Sequence, residues 1–176
     1  MMEDLLMGEM SRRNTDLMAG LILQKPELFD HLIRIYCRNE EPVSRRAAWV
    51  ADTVSEKYPE FISAHIETLI EFLPHFNHDG LKRHTLHILS RVPLPDKKHF
   101  ALLINICFGW LTSPTEAVAT KVYCMELLYR ISESEPEIKP ELAESIEWRL
   151  NEETSGFKNR GTKLLRKLYS EIGLQL

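Results

Sequence analysis

Four histidines, His75, His78, His84 and His87, fall within 13 residues with Asp79 among them. On a helix His84 and His87 stand one turn apart on one face, a spacing that two metal-bound imidazoles use. A zinc site of this kind normally adds cysteine or a tighter ligand pattern. Cys37, Cys107 and Cys124 all lie far from the cluster in sequence, so no metal is expected. The cysteines follow no metal spacing of their own and read as free thiols in a reducing compartment. Glu144 and Glu147, one turn apart in an acidic run, read as a solvated face. Gly-rich phosphate loops, GxSxG, HExxH and paired CxxC motifs do not occur in the sequence. The expected catalytic set, metal and cofactor are therefore none.

The cationic residues are different, because they recur in register. The stretch Pro42–Glu60, PVSRRAAWVADTVSEKYPE, returns in diverged form from Met10, Leu81, Val118 and Phe157. With Val43 as its own origin, the steps between successive copies are 33, 38, 37 and 39 residues. A period near forty is the signature of a helical repeat array. Seven residues after each origin stand Leu17, Val50, Ile88, Met125 and Leu164, and eleven after stand Leu21, Val54, Val92, Tyr129 and Leu168. Offsets of zero, seven and eleven lie within about 40° on a helix, so every copy reads as a helix with one buried stripe. Offset four, Asn14, Ala47, Thr85, Val122 and Gly161, is mostly small, as two closely approaching helices require. Period-two alternation, which a strand needs, is missing from the sequence.

Offset three is basic or histidine in every copy: Arg13, Arg46, His84, Lys121 and Arg160. It lies about 60° from the middle of the apolar stripe, at the edge of the buried surface. Offsets six and ten add Trp49, His87, Arg91, Lys163 and Lys167 on the same side. Two readings follow. The column is either a ladder in which each cation bonds a neighbouring turn, or an anion-binding strip formed by Arg46, Trp49, His84, His87, Arg91, Lys121, Arg160, Lys163 and Lys167.

The elements that would position these residues are alternating helices. Residues 2–9 suit a short amphipathic helix, followed by helices over 11–24, 26–38, 42–57, 59–73, 80–92, 97–111, 114–132, 139–151 and 156–173. Pro26, Pro42 and Pro59 suit first turns, Asp79 suits an N-cap, and Ser113-Pro-Thr-Glu116 reads as a capping box. Residues 100–111 are interrupted only by Asn105 and Gly109 and leave no polar face. A helix apolar all round is normally covered, here by flanking helices, a partner or a second copy of the chain.

The whole of 1–176 reads as one domain, long enough for a continuous core. A net charge of −4 argues against broad attraction to nucleic acid but says nothing about one face. The acidic start MMEDLLMGEM lacks the cationic region of a signal peptide, and apolar runs stay short of a membrane span. A cytoplasmic location is expected.

The Val43-Ser-Arg-Arg-Ala-Ala block and its copies, with Glu41, Asp79, Glu116 and Ser155 two positions before each origin, resemble the HEAT/armadillo superfamily of helical repeats. That resemblance implies an all-α fold, a right-handed α-α superhelix (HEAT-like solenoid) of about four and a half two-helix repeats. It also implies that the second helix of each repeat lines a concave side. The chain departs from the pattern where the family usually places arginine after the origin, since Ser11, Ser44, Lys82, Ala119 and Lys158 stand there. SRRAAWVA is also similar to inner helices of HEAT-like DNA alkylation-repair glycosylases, whose chemistry needs an acid beside aromatics. Trp49 and Asp52 are the pair that similarity would use, about 60° apart on one helix. The expected function is a non-catalytic binding or scaffold module holding an acidic peptide or protein segment. Nucleic-acid binding is the alternative, and self-association through residues 100–111 is a further expectation.

Overall fold

Ser11 shows how local chemistry starts a helix here: its Oγ accepts a hydrogen bond from the Asn14 backbone N–H, 3.1 Å away, and opens the helix Arg12–Gln24. The computed structural model describes residues 2–173. Among them the chain is helical, without strands. It divides into two compact units, residues 1–93 and 94–176.

The first unit runs α1 (Met2–Gly8), α2 (Arg12–Gln24), α3 (Leu28–Cys37), α4 (Val43–Lys57), α5 (Glu60–Ser63), α6 (Ile66–Phe72) and α7 (Asp79–Arg91). Its centre is α4, which packs on α1, α2, α3 and α7. Ala47, Ala48, Val50, Ala51 and Val54 are buried there, so small residues let α4 sit among several neighbours at once. Tyr36 of α3 is fully buried, stacks on Phe76 at 5.5 Å between ring centroids, and meets Thr85 of α7 through a 2.5 Å hydroxyl hydrogen bond. Its phenol is pushed well above its ordinary pKa by burial. A buried phenol needs a partner, and a threonine in the offset-four column supplies it.

The second unit runs α8 (Phe100–Thr112), α9 (Val118–Ser132), α10 (Lys139–Leu150) and α11 (Ser155–Ile172). Here α8 packs on α9 and α10, and α11 on α9 and α10. Gly161 lets α11 approach α10 closely, since a Cβ there would stand 3.0 Å from Ile146 Cγ2 and 3.2 Å from Leu150 Cδ2. In α8, Phe100, Leu103, Cys107 and Leu111 are buried, at the spacing of one helix face. Ala101, Leu102, Asn105 and Gly109 are exposed.

Several local expectations are corrected. The first copy is out of register: Met10 and Leu17 are exposed, at 48% and 64%, while Met18 and Ile22 are buried. Aligning the two SRR triplets causes the slip, because Ser11 is an N-cap whereas Ser44 lies inside α4. One residue of slip turns the stripe by about 100°. The helix expected over 59–73 breaks at Ala64-His65, where His65 lies 3.0 Å from Asp30 of α3. His78, not Asp79, caps α7, its Nδ1 accepting from Gly80 N–H at 2.9 Å. The capping box does not form: Ser113 Oγ accepts from Thr115 N–H instead, and α9 starts only at Val118. Pro26 precedes α3 in a turn, and Pro42, joined through a cis peptide, is the residue before α4.

Candidate interaction surface

The Ser44-Arg45-Arg46-Ala47-Ala48 block is occupied side chain by side chain. Ser44 Oγ is fully buried, donates to Ile35 O at 2.5 Å and accepts from Glu40 N–H. The Arg45 stem lies against Gly80 of α7, where an added Cβ would meet Arg45 Cδ at 2.9 Å. Arg46 Nη1 donates to Leu6 O at 2.7 Å, while Asn14 Nδ2 donates to Leu5 O and Glu9 O. These last bonds satisfy carbonyls at the C-terminal end of α1, where a cation also suits the helix dipole.

Asp52 gathers the histidines and Arg91 onto one carboxylate. His84 Nδ1 donates to Asp52 Oδ2 at 2.8 Å, and His87 Nδ1 donates to the same oxygen at 3.0 Å. Arg91 Nη2 donates to Oδ1 at 2.7 Å and to Ser55 Oγ at 3.1 Å. An ionised carboxylate only accepts, so both imidazoles carry their hydrogen on Nδ1. His84 Nε2 then accepts from Arg83 Nη2. Burial alone pushes the Asp52 carboxyl up, but hydrogen bonds from His84 and His87 outweigh it and hold the group well below the usual carboxylate range. Both Asp52 oxygens are engaged, so the carboxylate is closed to the base chemistry for which Trp49 and Asp52 were paired. Trp49 itself is half-buried on α4.

The second unit has its own enclosed network. Lys121 Nζ donates to Glu153 Oε1 at 2.6 Å, with the two side chains 2% and 5% exposed. Arg149 Nη2 donates to the same oxygen at 2.5 Å and Nη1 donates to Glu152. Burial pushes the Glu153 carboxyl up, but the hydrogen bonds from Lys121 and Arg149 outweigh it and hold the group below its ordinary value. Lys121 is therefore a packed core cation and presents no free charge. Arg160 Nε donates to Glu126 Oε1 of α9, and Lys167 Nζ lies 5.5 Å from the Tyr129 ring centroid. Tyr129 in turn donates to Glu171, which pushes the phenol up to about 12.

The outer face of α11 carries cations that no carboxylate engages among the described residues. Phe157, Gly161, Leu164, Leu165 and Leu168 point inward, which sends Asn159, Lys163 and Arg166 to the opposite side. Lys158, Lys163 and Arg166 are exposed, and none pairs with a carboxylate among the described residues. Lys167 and Arg160 flank this face and are exposed as well. Of the residues expected in the strip, Lys163, Lys167 and Arg160 thus lie together on one helix. His84, His87 and Arg91 converge on Asp52, and Arg46 is spent on α1. Lys158 and Arg166 were missed because they fall outside the repeating column. The signal was nonetheless in the sequence: five basic residues between 158 and 167 with no acid among them.

Units that are all-helical among the described residues, with copies of one helix motif, define a helical repeat protein, the class to which binding and scaffold modules belong. The HEAT repeat domain family matches residues 2–167, and the chain belongs to that family. No curated protein and no solved structure matches the chain. No helix among the described residues is long and apolar enough to cross a membrane.

Proposed function

We propose that this chain is a non-catalytic binding module that holds an acidic peptide or protein segment against the exposed face of α11. The supporting observation is the contrast in charge compensation. His84, Arg91, Lys121 and Arg160 each have a carboxylate at hydrogen-bond distance, whereas Lys158, Lys163 and Arg166 are exposed and have none among the described residues. Cations one turn apart on a rigid helix suit carboxylates at matching spacing on an extended segment. A net charge of −4 opposes broad attraction to polyanions and favours a partner that engages this face alone.

Titration with a labelled acidic peptide library at several salt concentrations tests the reading. K163E/R166E should lower affinity at least tenfold while leaving the fold unchanged. Unaltered affinity in that variant rejects α11 as the site. Single-stranded and duplex DNA form the comparison arm: tight DNA binding that falls steeply with salt, and no peptide binding, assigns the module to nucleic acid instead.

A further inference from the structure

The faces of α3 and α6 enclose a groove of about 420 Å³ within the first unit. Its floor is apolar, formed by Ile33 and Cys37, which are 3% and 8% exposed. Phe72 forms a wall and remains 38% exposed, with Thr68 one turn before it on α6. Such an opening is of ligand size, and an aromatic wall left in water is a surface that a bound apolar group would cover.

The charges around the rim are unequal in their commitments. Asp30 at one end is held by His65 Nε2 at 3.0 Å. Arg38 is held by Glu3 and Glu40. Arg34, between them on α3, is exposed and pairs with no carboxylate among the described residues. A guanidinium presents a planar fork of donors that matches a carboxylate in two parallel hydrogen bonds. Arg34 is the rim cation whose donors no carboxylate engages among the described residues, and its one fork takes one carboxylate, whereas a dianion would leave its second charge beside Asp30 and over Ile33 and Cys37 without a partner.

The geometry points to a binding site for an amphiphilic monocarboxylate, an acyl or aryl acid, with its carboxylate on Arg34 and its apolar part between Ile33, Cys37 and Phe72. This site shares no residue with the basic face of α11 and stands or falls independently of it. Cys37 serves as a built-in reporter. Cys107 and Cys124 are fully buried, so Cys37 is the most accessible thiol in the folded protein, though burial pushes its pKa up to about 11 and slows its alkylation.

The test uses the full chain with octanoate, decanoate and octanol as probes, ligand-observed NMR for affinity, and mass spectrometry of slow native alkylation for location. Octanoate should bind, slow Cys37 alkylation in proportion to occupancy, and tighten about tenfold on lengthening to decanoate, from roughly threefold to fourfold per methylene. R34A should weaken octanoate at least fivefold without affecting octanol. T68W, at a half-buried rim position, should abolish both by filling the groove. Circular dichroism and melting of R34A and T68W establish that each variant is folded. Octanoate and octanol binding equally, or R34A binding octanoate as the parent does, overturns the assignment of Arg34. Binding without Cys37 protection places the ligand elsewhere and overturns the site, as does the absence of octanoate binding at millimolar concentration.

Discussion

His84 on α7 and Asp52 on α4 are joined by a 2.8 Å hydrogen bond from imidazole Nδ1 to carboxylate Oδ2, with the side chains 7% and 10% exposed. The bond spans 32 residues of sequence and ties two repeats together. Asp52 also receives His87 and Arg91, so its removal leaves several donors without their acceptor. D52N is expected to cost roughly 3–5 kcal/mol, the range for breaking an enclosed charge pair. Denaturant unfolding monitored by circular dichroism measures it, and a loss below about 1 kcal/mol contradicts the role given to Asp52.

The same carboxylate sets a pH dependence. Its folded pKa is depressed, so its contribution is complete above the unfolded value near ~4 and is lost as pH falls through that range toward the folded value. Stability should therefore decline on acidification below about pH 5, and D52N should show a shallower decline. Parallel slopes for the two proteins would remove Asp52 as a cause.

Lys121 is a structural cation. K121M removes one donor to Glu153 but leaves Arg149 in place, so the expected cost is roughly 2–3 kcal/mol, under the full cost of stranding a buried charge. R160A removes a pair whose arginine is 57% exposed and should change stability by no more than about 0.5 kcal/mol. Equal effects from the two substitutions would show that burial does not govern this column.

Two close helix contacts should respond differently to an added methyl. G80A meets the stem of Arg45, a long side chain that can swing aside, and the helix propensity of alanine offsets the contact, leaving a change within about 1 kcal/mol. G161A meets the branched Cγ2 of Ile146 and should cost about 1–3 kcal/mol. Thermal melts of both variants decide it, and a stabilised G161A would mean that α10 yields freely.

K163E/R166E changes only solvent-facing side chains and should leave stability within about 0.5 kcal/mol of the parent. Loss of acidic-peptide binding in a fully folded variant is the outcome that carries the functional reading. A lowered melting temperature would instead mean that α11 uses these cations internally.

Helix class, the approximate repeat and most of the buried stripe were legible in the sequence alone. Leu81, Ile88 and Val92, or Phe157, Leu164 and Leu168, declare one face because helical geometry converts spacing directly into direction. The exposure of Arg160, Lys163 and Lys167 on one helix follows from the same geometry. The starts of helices were less legible, since the Ser113 and His78 side chains each accept from a backbone N–H two residues on, in place of the caps that the pattern suggests. The Met10 copy failed because matching SRR triplets carried more weight than the apolar residues Met18 and Ile22 that follow one position later.

Which cations are free was decided only in three dimensions. Arg46, His84, Lys121 and Arg160 occupy one column, yet they end on a carbonyl of α1, on Asp52, on Glu153 and on Glu126. Helical period specifies the side of a helix on which a residue sits, because that depends on a few neighbouring residues. It does not specify which acid approaches from thirty or forty residues away, and that approach determines whether a charge is enclosed and compensated or left to meet a partner.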